Sequence, residues 1–129
     1  MRKLLFFCIF LFACQKPVQR PAYILTLKYD EYHRGIYNPT VEKDSIRAKN
    51  DTVAFRKAFE RYSNEVTTSK FIDSGNSIPM RKNISFKLVD KNGVNVQEKL
   101  SKPFVDSVEA KINKQFYDIF NSFKHRKSN

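Results

Sequence analysis

The fold depends most on the stretch DTVAFRKAFERYSNEV, which spans residues 51–66. Its apolar residues recur at spacings of three and four, and charged residues lie between them. This period predicts an amphipathic helix that buries one apolar stripe and ends near Lys70. Asp51, or Asn50 before it, is expected to cap the first turn. The stripe consists of Phe55, Ala58, Phe59, Tyr62 and Val66.

On the N-terminal side of this helix, residues 22–29 alternate between apolar and polar side chains, which predicts a strand. Residues 30–44 are expected to form a long polar and aromatic loop with a turn at residues 33–35. Residues 45–48 are compatible with a short extended piece or with a helical turn. The apolar face of the strand, expected in the core, consists of Tyr23, Leu25, Leu27 and Tyr29.

On the C-terminal side, two alternating apolar runs flank Lys91-Asn92-Gly93. Asn-Gly between such runs is the strongest short-range hairpin signal, so residues 84–90 and 94–97 are expected to pair. A three-residue loop would place Asp90 opposite Val94. The sequence therefore predicts two further strands joined by a tight turn.

A second helix is predicted to begin near Pro103, with Ser101 as its cap. Positive charge at residues 124–127 suits a helix C-terminus. Its long apolar stripe consists of Val105, Val108, Ile112, Phe116, Ile119, Phe120 and Phe123.

These elements predict an α+β fold: about three antiparallel strands packed in two layers against two helices, in the order β-α-β-β-α. The length of 129 residues suits a single domain. With only 3 Gly and 5 Pro, the composition excludes a collagen-like chain and a disordered chain rich in those residues.

The first thirteen residues have the features of a secretory signal peptide. Arg2 and Lys3 give it a positive start, and an unbroken apolar run follows over residues 4–13. That run is shorter than the roughly 20 residues that a membrane-spanning helix needs. Residues 15–21 contain two prolines and show no periodicity, so they are expected to form an extended tether.

The end of this signal, Leu11-Phe12-Ala13-Cys14, resembles the lipobox of bacterial lipoproteins. Leu11, Ala13 and Cys14 match its pattern, while Phe12 stands where a small or β-branched residue is usual. The resemblance implies a diacylglyceryl group on the Cys14 thiol and a fatty acid such as palmitate on the freed amine. The alternatives are an ordinary cleaved signal in which Cys14 is incidental, and an uncleaved membrane anchor.

The lipoprotein interpretation divides the chain into a signal peptide (residues 1–13), a lipidated Cys with its tether (14–21) and one domain (22–129). It places the domain in the bacterial cell envelope, outside the cytoplasm and anchored to a membrane. Cleavage would leave no thiol in the domain, because Cys8 is lost and Cys14 carries lipid. No disulfide is therefore expected there, and the net charge falls from +11 to +9.

We recognise no catalytic constellation in the sequence, so an enzyme is not expected, nor is a bound cofactor or metal. Asp30-Glu31-Tyr32-His33 groups residue types that metal and acid–base sites use, but such sites also need convergent partners. We therefore interpret it as a solvated loop. P-loop, HExxH and GxSxG patterns are absent from the sequence.

Two surfaces are candidates for binding. Tyr32, Arg34 and Tyr37 are predicted to form a patch for an envelope protein partner, because tyrosine is enriched at interaction hot spots. We expect that patch to face away from the tether. Lys124, Arg126 and Lys127 form a basic tail that would contact anionic lipid or glycan.

Nucleic acid is not an expected partner, since an exported lipoprotein rarely meets it and no recognition motif is present. Two functions remain open. The first is a non-catalytic protein-binding or inhibitory module of the cell envelope. The second is a structural envelope component that contacts anionic lipid or glycan through its basic surface.

Overall fold

The computed structural model describes residues 22–73 and 80–126, with residues 70–73 and 123–126 described by their backbone alone. The predicted α+β class, with three antiparallel strands and helices, is confirmed. The predicted order β-α-β-β-α is wrong, because the observed order is β-β-α-β-α-α. The elements are β1 (Ala22–His33), β2 (Ile36–Arg47), α1 (Asp51–Asp73), β3 (Arg81–Val89), α2 (Val96–Lys99) and α3 (Lys102–Arg126).

The sheet has the order β2-β1-β3, so β1 is its central strand and pairs antiparallel with both neighbours. Pairing between β1 and β2 extends without a break from Ala22–Arg47 to His33–Ile36. The loop predicted over residues 30–44 is therefore wrong, since these residues belong to a β-hairpin. Only its predicted turn is confirmed.

That turn has two central residues, Arg34 and Gly35, with φ angles of 50° and 91°. Positive φ at both positions is what a type I′ turn requires, and its twist matches that of the flanking strands. Glycine adopts this conformation without steric cost, whereas Arg34 adopts it under strain.

The strand predicted over residues 94–97 is also wrong. The expected register is present for one step, since the Asp90 amide donates to the Val94 carbonyl at 3.0 Å and Val89 bridges Asn95. The Asn95 side chain then accepts a hydrogen bond from the Gln97 amide at 3.2 Å and begins α2. The Asn95 cap therefore starts a helix where the antiparallel pairing begun by the Asn-Gly turn would otherwise continue.

Both long helices lie where the periodicity predicts them. Asn50 caps α1, because its side-chain oxygen accepts from the Val53 amide at 3.0 Å. Helix α3 begins directly after Ser101, whose carbonyl accepts from the Val105 amide at 3.1 Å. The apolar stripe of α3 is predicted correctly at Val105, Val108 and Ile112, which are buried. The prediction is wrong at Ile119, which is 40% exposed because it faces away from α1 and the sheet, and Phe123 lies outside the described side chains.

Helix α1 covers one face of the sheet, and α3 packs along α1. We call this side of the sheet the covered face and the opposite side the open face. The core lies between the covered face and the helices. Its buried members are Tyr23, Leu25, Leu27, Tyr29, Ala48, Ala54, Phe55, Ala58, Phe59, Leu88, Val96, Val105, Val108 and Ile112.

Candidate functional site

The open face is built by alternate residues of all three strands. Because cross-strand partners point to the same side of a sheet, the pairing register determines its composition. Its part from Ala22 to Lys28 of β1, with the cross-strand partners, contains four cations and no acidic residue, whereas Asp30 lies on the same side at the next outward position of β1. The residues of this part are Ala22, Ile24, Thr26, Lys28, Val41, Lys43, Ser45, Arg47, Ser85, Lys87 and Val89.

Three lysines of the open face surround Thr26. Lys43 of β2 and Lys87 of β3 pair with it on either side, and Lys28 lies two residues further along β1. We call Lys28, Lys43 and Lys87 the lysine triangle. Strand spacing places the Cα atoms of Lys43 and Lys87 about 10 Å apart. All three side chains are exposed, and none makes an ion pair with any side chain that the structure describes.

Three acidic residues of β1 and β2 near this point lie on the covered face instead, whereas Asp30 lies on the open face. Glu42 and Asp44 pair with Arg61 of α1 at 3.2 and 3.5 Å. Glu31 pairs with Arg81 of β3 at 3.2 Å. Alternation along the strands therefore places these three paired acids inward and the lysine triangle outward.

Arg81 is the centre of this inward network. Its guanidinium lies over the Tyr29 ring, 4.2 Å from the centroid, and also pairs with Glu65 of α1 at 2.7 Å. The Tyr29 hydroxyl donates to Glu42 at 3.2 Å, and burial raises the pKa of Tyr29. These contacts join all three strands to α1, so we assign the network to structure rather than to binding.

The hairpin end carries the predicted partner patch. The rings of Tyr32 and Tyr37 are cross-strand neighbours with centroids 5.2 Å apart. The ammonium of Lys82 lies 3.6 Å from the Tyr37 centroid, as in a cation–π contact. Arg34 occupies the adjoining turn, and Ile36 beside it is 62% exposed. The structure thus brings Tyr32, Arg34 and Tyr37 to one end of the sheet.

This hairpin end is remote from the predicted tether. Ala22 and His33 are the first and last residues of β1. A strand rises about 3.3 Å per residue, so they are roughly 35 Å apart. That the patch faces away from the tether stays a prediction. Residues 14–21 themselves, with Cys14, lie outside the described residues.

The predicted basic tail is only partly covered by the structure. Lys124 and Arg126 belong to the end of α3, but their side chains lie outside the described set. Lys127 lies outside the described residues altogether. The tail therefore stays a prediction.

The acidic and imidazole groups of residues 30–33 do not converge. Glu31 points to the covered face and pairs with Arg81, whereas Asp30 accepts a hydrogen bond from Asn83 at 2.7 Å. Asn83 has a φ of 54° at a β-bulge, a conformation that asparagine tolerates. Within residues 22–73 and 80–126, no group of three metal-ligating side chains is present.

A second charged cluster joins the start of β1 to α1 and α2. Lys99 pairs with Asp51 at 2.6 Å and with Asp90 at 3.0 Å. Asp51 also accepts from the buried Tyr23 hydroxyl at 2.9 Å. The hydrogen bonds from Lys99 lower the pKa of both carboxyls, and the two carboxylates raise the pKa of Lys99 to about 12. Every group is paired, so the cluster serves as a structural clamp.

A cleft of about 810 Å³ lies between α1 and α3. Five of the eleven residues that line it are aromatic, including Phe59 and Tyr62 on α1 and Phe116 and Tyr117 on α3. Phe59 belongs to the core, so the cleft continues the packing seam between the two helices. Its charged rim residue Lys114 is paired with Asp118 at 2.6 Å.

In the part of the chain that the structure describes, no helix is long and apolar enough to cross a bilayer. No protein family, curated protein or solved structure matches the chain.

Sequence reasoning missed the lysine triangle because it placed Lys43 in a loop. The signal was nevertheless present in Val41-Glu42-Lys43-Asp44-Ser45, where charge sign alternates with residue number. In a strand such alternation separates acids and cations onto opposite faces.

Proposed function

We propose that this protein is a small lipid-anchored lipoprotein of the bacterial cell envelope, which binds a protein partner and catalyses no reaction. The contact surface is the hairpin end, with Tyr32, Arg34 and Tyr37 at its centre. The observation that carries this proposal is the placement of these three residues together, at the opposite end of β1 from Ala22.

The chemistry of the hairpin end supports a protein contact. Tyrosine provides a large, rigid contact area, and arginine and tyrosine are enriched at interaction hot spots. Exposed Ile36 adds an apolar side chain beside them. The type I′ turn fixes the hairpin, so little conformational entropy is lost on binding.

The anchor is tested by Cys14→Ser in the native organism. Removing the thiol removes the acceptor of the diacylglyceryl group, so the protein should leave the membrane fraction or accumulate unprocessed. Metabolic labelling with a fatty acid should mark the native chain and not the variant. A native chain that stays soluble and carries no fatty acid contradicts the lipoprotein assignment.

The partner site is tested by recovering the intact lipoprotein from its own envelope with reversible cross-linking. The double variant Tyr32→Ala, Tyr37→Ala should lose a specific protein that the native chain recovers. Tyr117→Ala is the matched control, because Tyr117 is 64% exposed on α3. Equal recovery by the double variant, or equal loss in the control, contradicts the proposal.

A second candidate function is favoured by a different observation. The lysine triangle gives the protein a cationic surface, and its three lysines take part in none of the described ion pairs. This surface suits a structural component that contacts anionic lipid or glycan. Contacts made by charge alone weaken steeply with ionic strength, whereas a tyrosine contact does not. Recovery of the partner at high salt therefore separates the two functions.

A further inference from the structure

We infer that the open face of the sheet docks on anionic phospholipid headgroups, with Lys28, Lys43 and Lys87 as its main contacts. This inference rests on the second candidate function and names both its site and its ligand. The site differs from the C-terminal tail that the sequence suggested.

Charge complementarity is the first argument. The part of the open face from Ala22 to Lys28 has four cations and no acid, because Glu42 and Asp44 turn to the covered face and pair there. Asp30, the next residue of β1 on this face, accepts a hydrogen bond from Asn83 at 2.7 Å. Each lysine near an anionic bilayer strengthens binding about fivefold. The lysine triangle alone should therefore contribute about a hundredfold.

The apolar residues of the open face fit the same surface. Val41 is 58% exposed and Ile24 is 39% exposed, and both lie among the cations. Membrane-surface segments combine exposed apolar side chains with lysine or arginine, because the former enter the headgroup boundary while the latter meet phosphate. Long lysine stems reach past the apolar residues to those phosphates.

The predicted anchor provides the third argument. Ala22 begins β1 only eight residues after Cys14. An extended chain spans at most about 3.6 Å per residue, so this end of the open face stays within about 30 Å of the lipid attachment point. The tether thus holds the open face at a high effective concentration against the bilayer. Tyr32 of the tyrosine pair lies about 33 Å from Ala22 along β1.

The test uses residues 15–129, which lack the lipid but keep the whole described core from Tyr23 to Ile112. Binding is measured by co-sedimentation with vesicles containing equal parts of phosphatidylglycerol and phosphatidylcholine. The chain should bind these vesicles and dissociate from them at high salt. It should not bind vesicles of pure phosphatidylcholine. The triple variant Lys28→Gln, Lys43→Gln, Lys87→Gln should bind about a hundredfold more weakly.

A matched control removes the same charge elsewhere. Lys91, Lys111 and Lys114 are exposed and lie off the open face, so their triple change to Gln should weaken binding less than about fivefold. Two substitutions of one residue, Thr26 at the centre of the triangle, provide a further test. Thr26→Glu should weaken binding further than Thr26→Gln, because only the former adds a negative charge.

Equal losses in the two triple variants, at unchanged melting temperature, would overturn the open face as the site. Binding to a soluble anionic polysaccharide without binding to the vesicles would overturn lipid as the ligand. If neither ligand binds, the second candidate function itself fails. Selective loss in the open-face variant supports the inference.

Discussion

The covered and open faces of the sheet are built from alternate residues of the same three strands, yet they differ in what their charges do. On the covered face, Glu31 and Glu42 are bound to arginines beside the apolar core. On the open face, Lys43 and Lys87 flank Thr26 without any described ion pair. The ion pairs of the fold account for the first set of charges, and we propose a binding role for the second set.

The largest expected contrast comes from two adjacent residues of β1. Leu25 is 1% exposed on the covered face, so Leu25→Ala should lower the free energy of unfolding by about 2–5 kcal/mol through cavity formation. Ile24 lies on the open face, and Ile24→Ala should cost about 1 kcal/mol or less. Chemical denaturation measures both. Equal losses would show that the two faces are wrongly assigned.

The helical layer should show the same contrast. Phe59→Ala should cost about 3–5 kcal/mol and Ile112→Ala about 2–5 kcal/mol, because both side chains are buried in the core. Ile119 is 40% exposed on α3 and provides the matched control. Its change to alanine should shift the denaturation midpoint far less than that of Ile112. Unchanged midpoints for Phe59 and Ile112 would mean that the helix faces are misplaced.

The next contrast concerns charge. Arg81→Met leaves Glu65, whose side chain is 12% exposed, with only one of its two arginine partners and should cost about 1–2 kcal/mol. Lys87→Met on the open face of the same strand should change the free energy of unfolding by no more than about 0.5 kcal/mol. A loss at Lys87 as large as that at Arg81 would contradict the separation of roles.

The Lys99 clamp predicts a pH dependence. Lys99 lowers the pKa of Asp51 and Asp90 below the values they have in the unfolded chain. Their stabilisation is therefore complete above an ordinary Asp pKa of about 3.9 and is lost as pH falls through the folded values. The pKa of Lys99 is raised to about 12, so its contribution is lost only as pH rises towards that value.

Thermal melting across pH checks this prediction. Lys99→Met should flatten the acidic limb of the stability curve, because the two carboxyls then titrate closer to their unfolded values. Lys91→Met provides a control, since Lys91 is exposed and makes none of the described ion pairs. An acidic limb that is equally steep in the Lys99 variant would show that the clamp does not cause it.

The smallest expected effect lies in the hairpin turn. Arg34 has a positive φ of 50°, which asparagine tolerates better in type I′ turns. Arg34→Asn should raise the free energy of unfolding by up to about 1 kcal/mol while removing a proposed partner contact. In this variant, chemical denaturation should therefore show a higher free energy of unfolding, while less of the partner should be recovered. A destabilised variant would contradict the turn geometry.

The sequence predicted the structure best in segments where apolar residues recur with a single period. The stripe of α1 and the alternation of residues 22–29 predicted their elements and half of the buried core, because apolar burial there follows a simple period. Strand β2 was missed because its inward positions carry Glu42 and Asp44, whose partner Arg61 belongs to another element. No local pattern reveals such a partner.

The candidate site was predictable only in part. Tyr32, Arg34 and Tyr37 could be selected by residue type, although they were assigned to a loop rather than a hairpin. The lysine triangle required the pairing register, since Lys28, Lys43 and Lys87 come from three strands. Neighbours of this kind are distant in the sequence and meet only in the folded sheet.

The open face as a contact surface is tested most directly by placing a probe on it. Residues 15–129 contain no Cys, so Ser85→Cys on the open face and Ser107→Cys on α3 each give one thiol for an environment-sensitive fluorophore. On phosphatidylglycerol vesicles, the probe at residue 85 should shift to the blue and the probe at residue 107 should not. An equal shift at both positions, or a shift at residue 107 alone, would contradict docking through the open face.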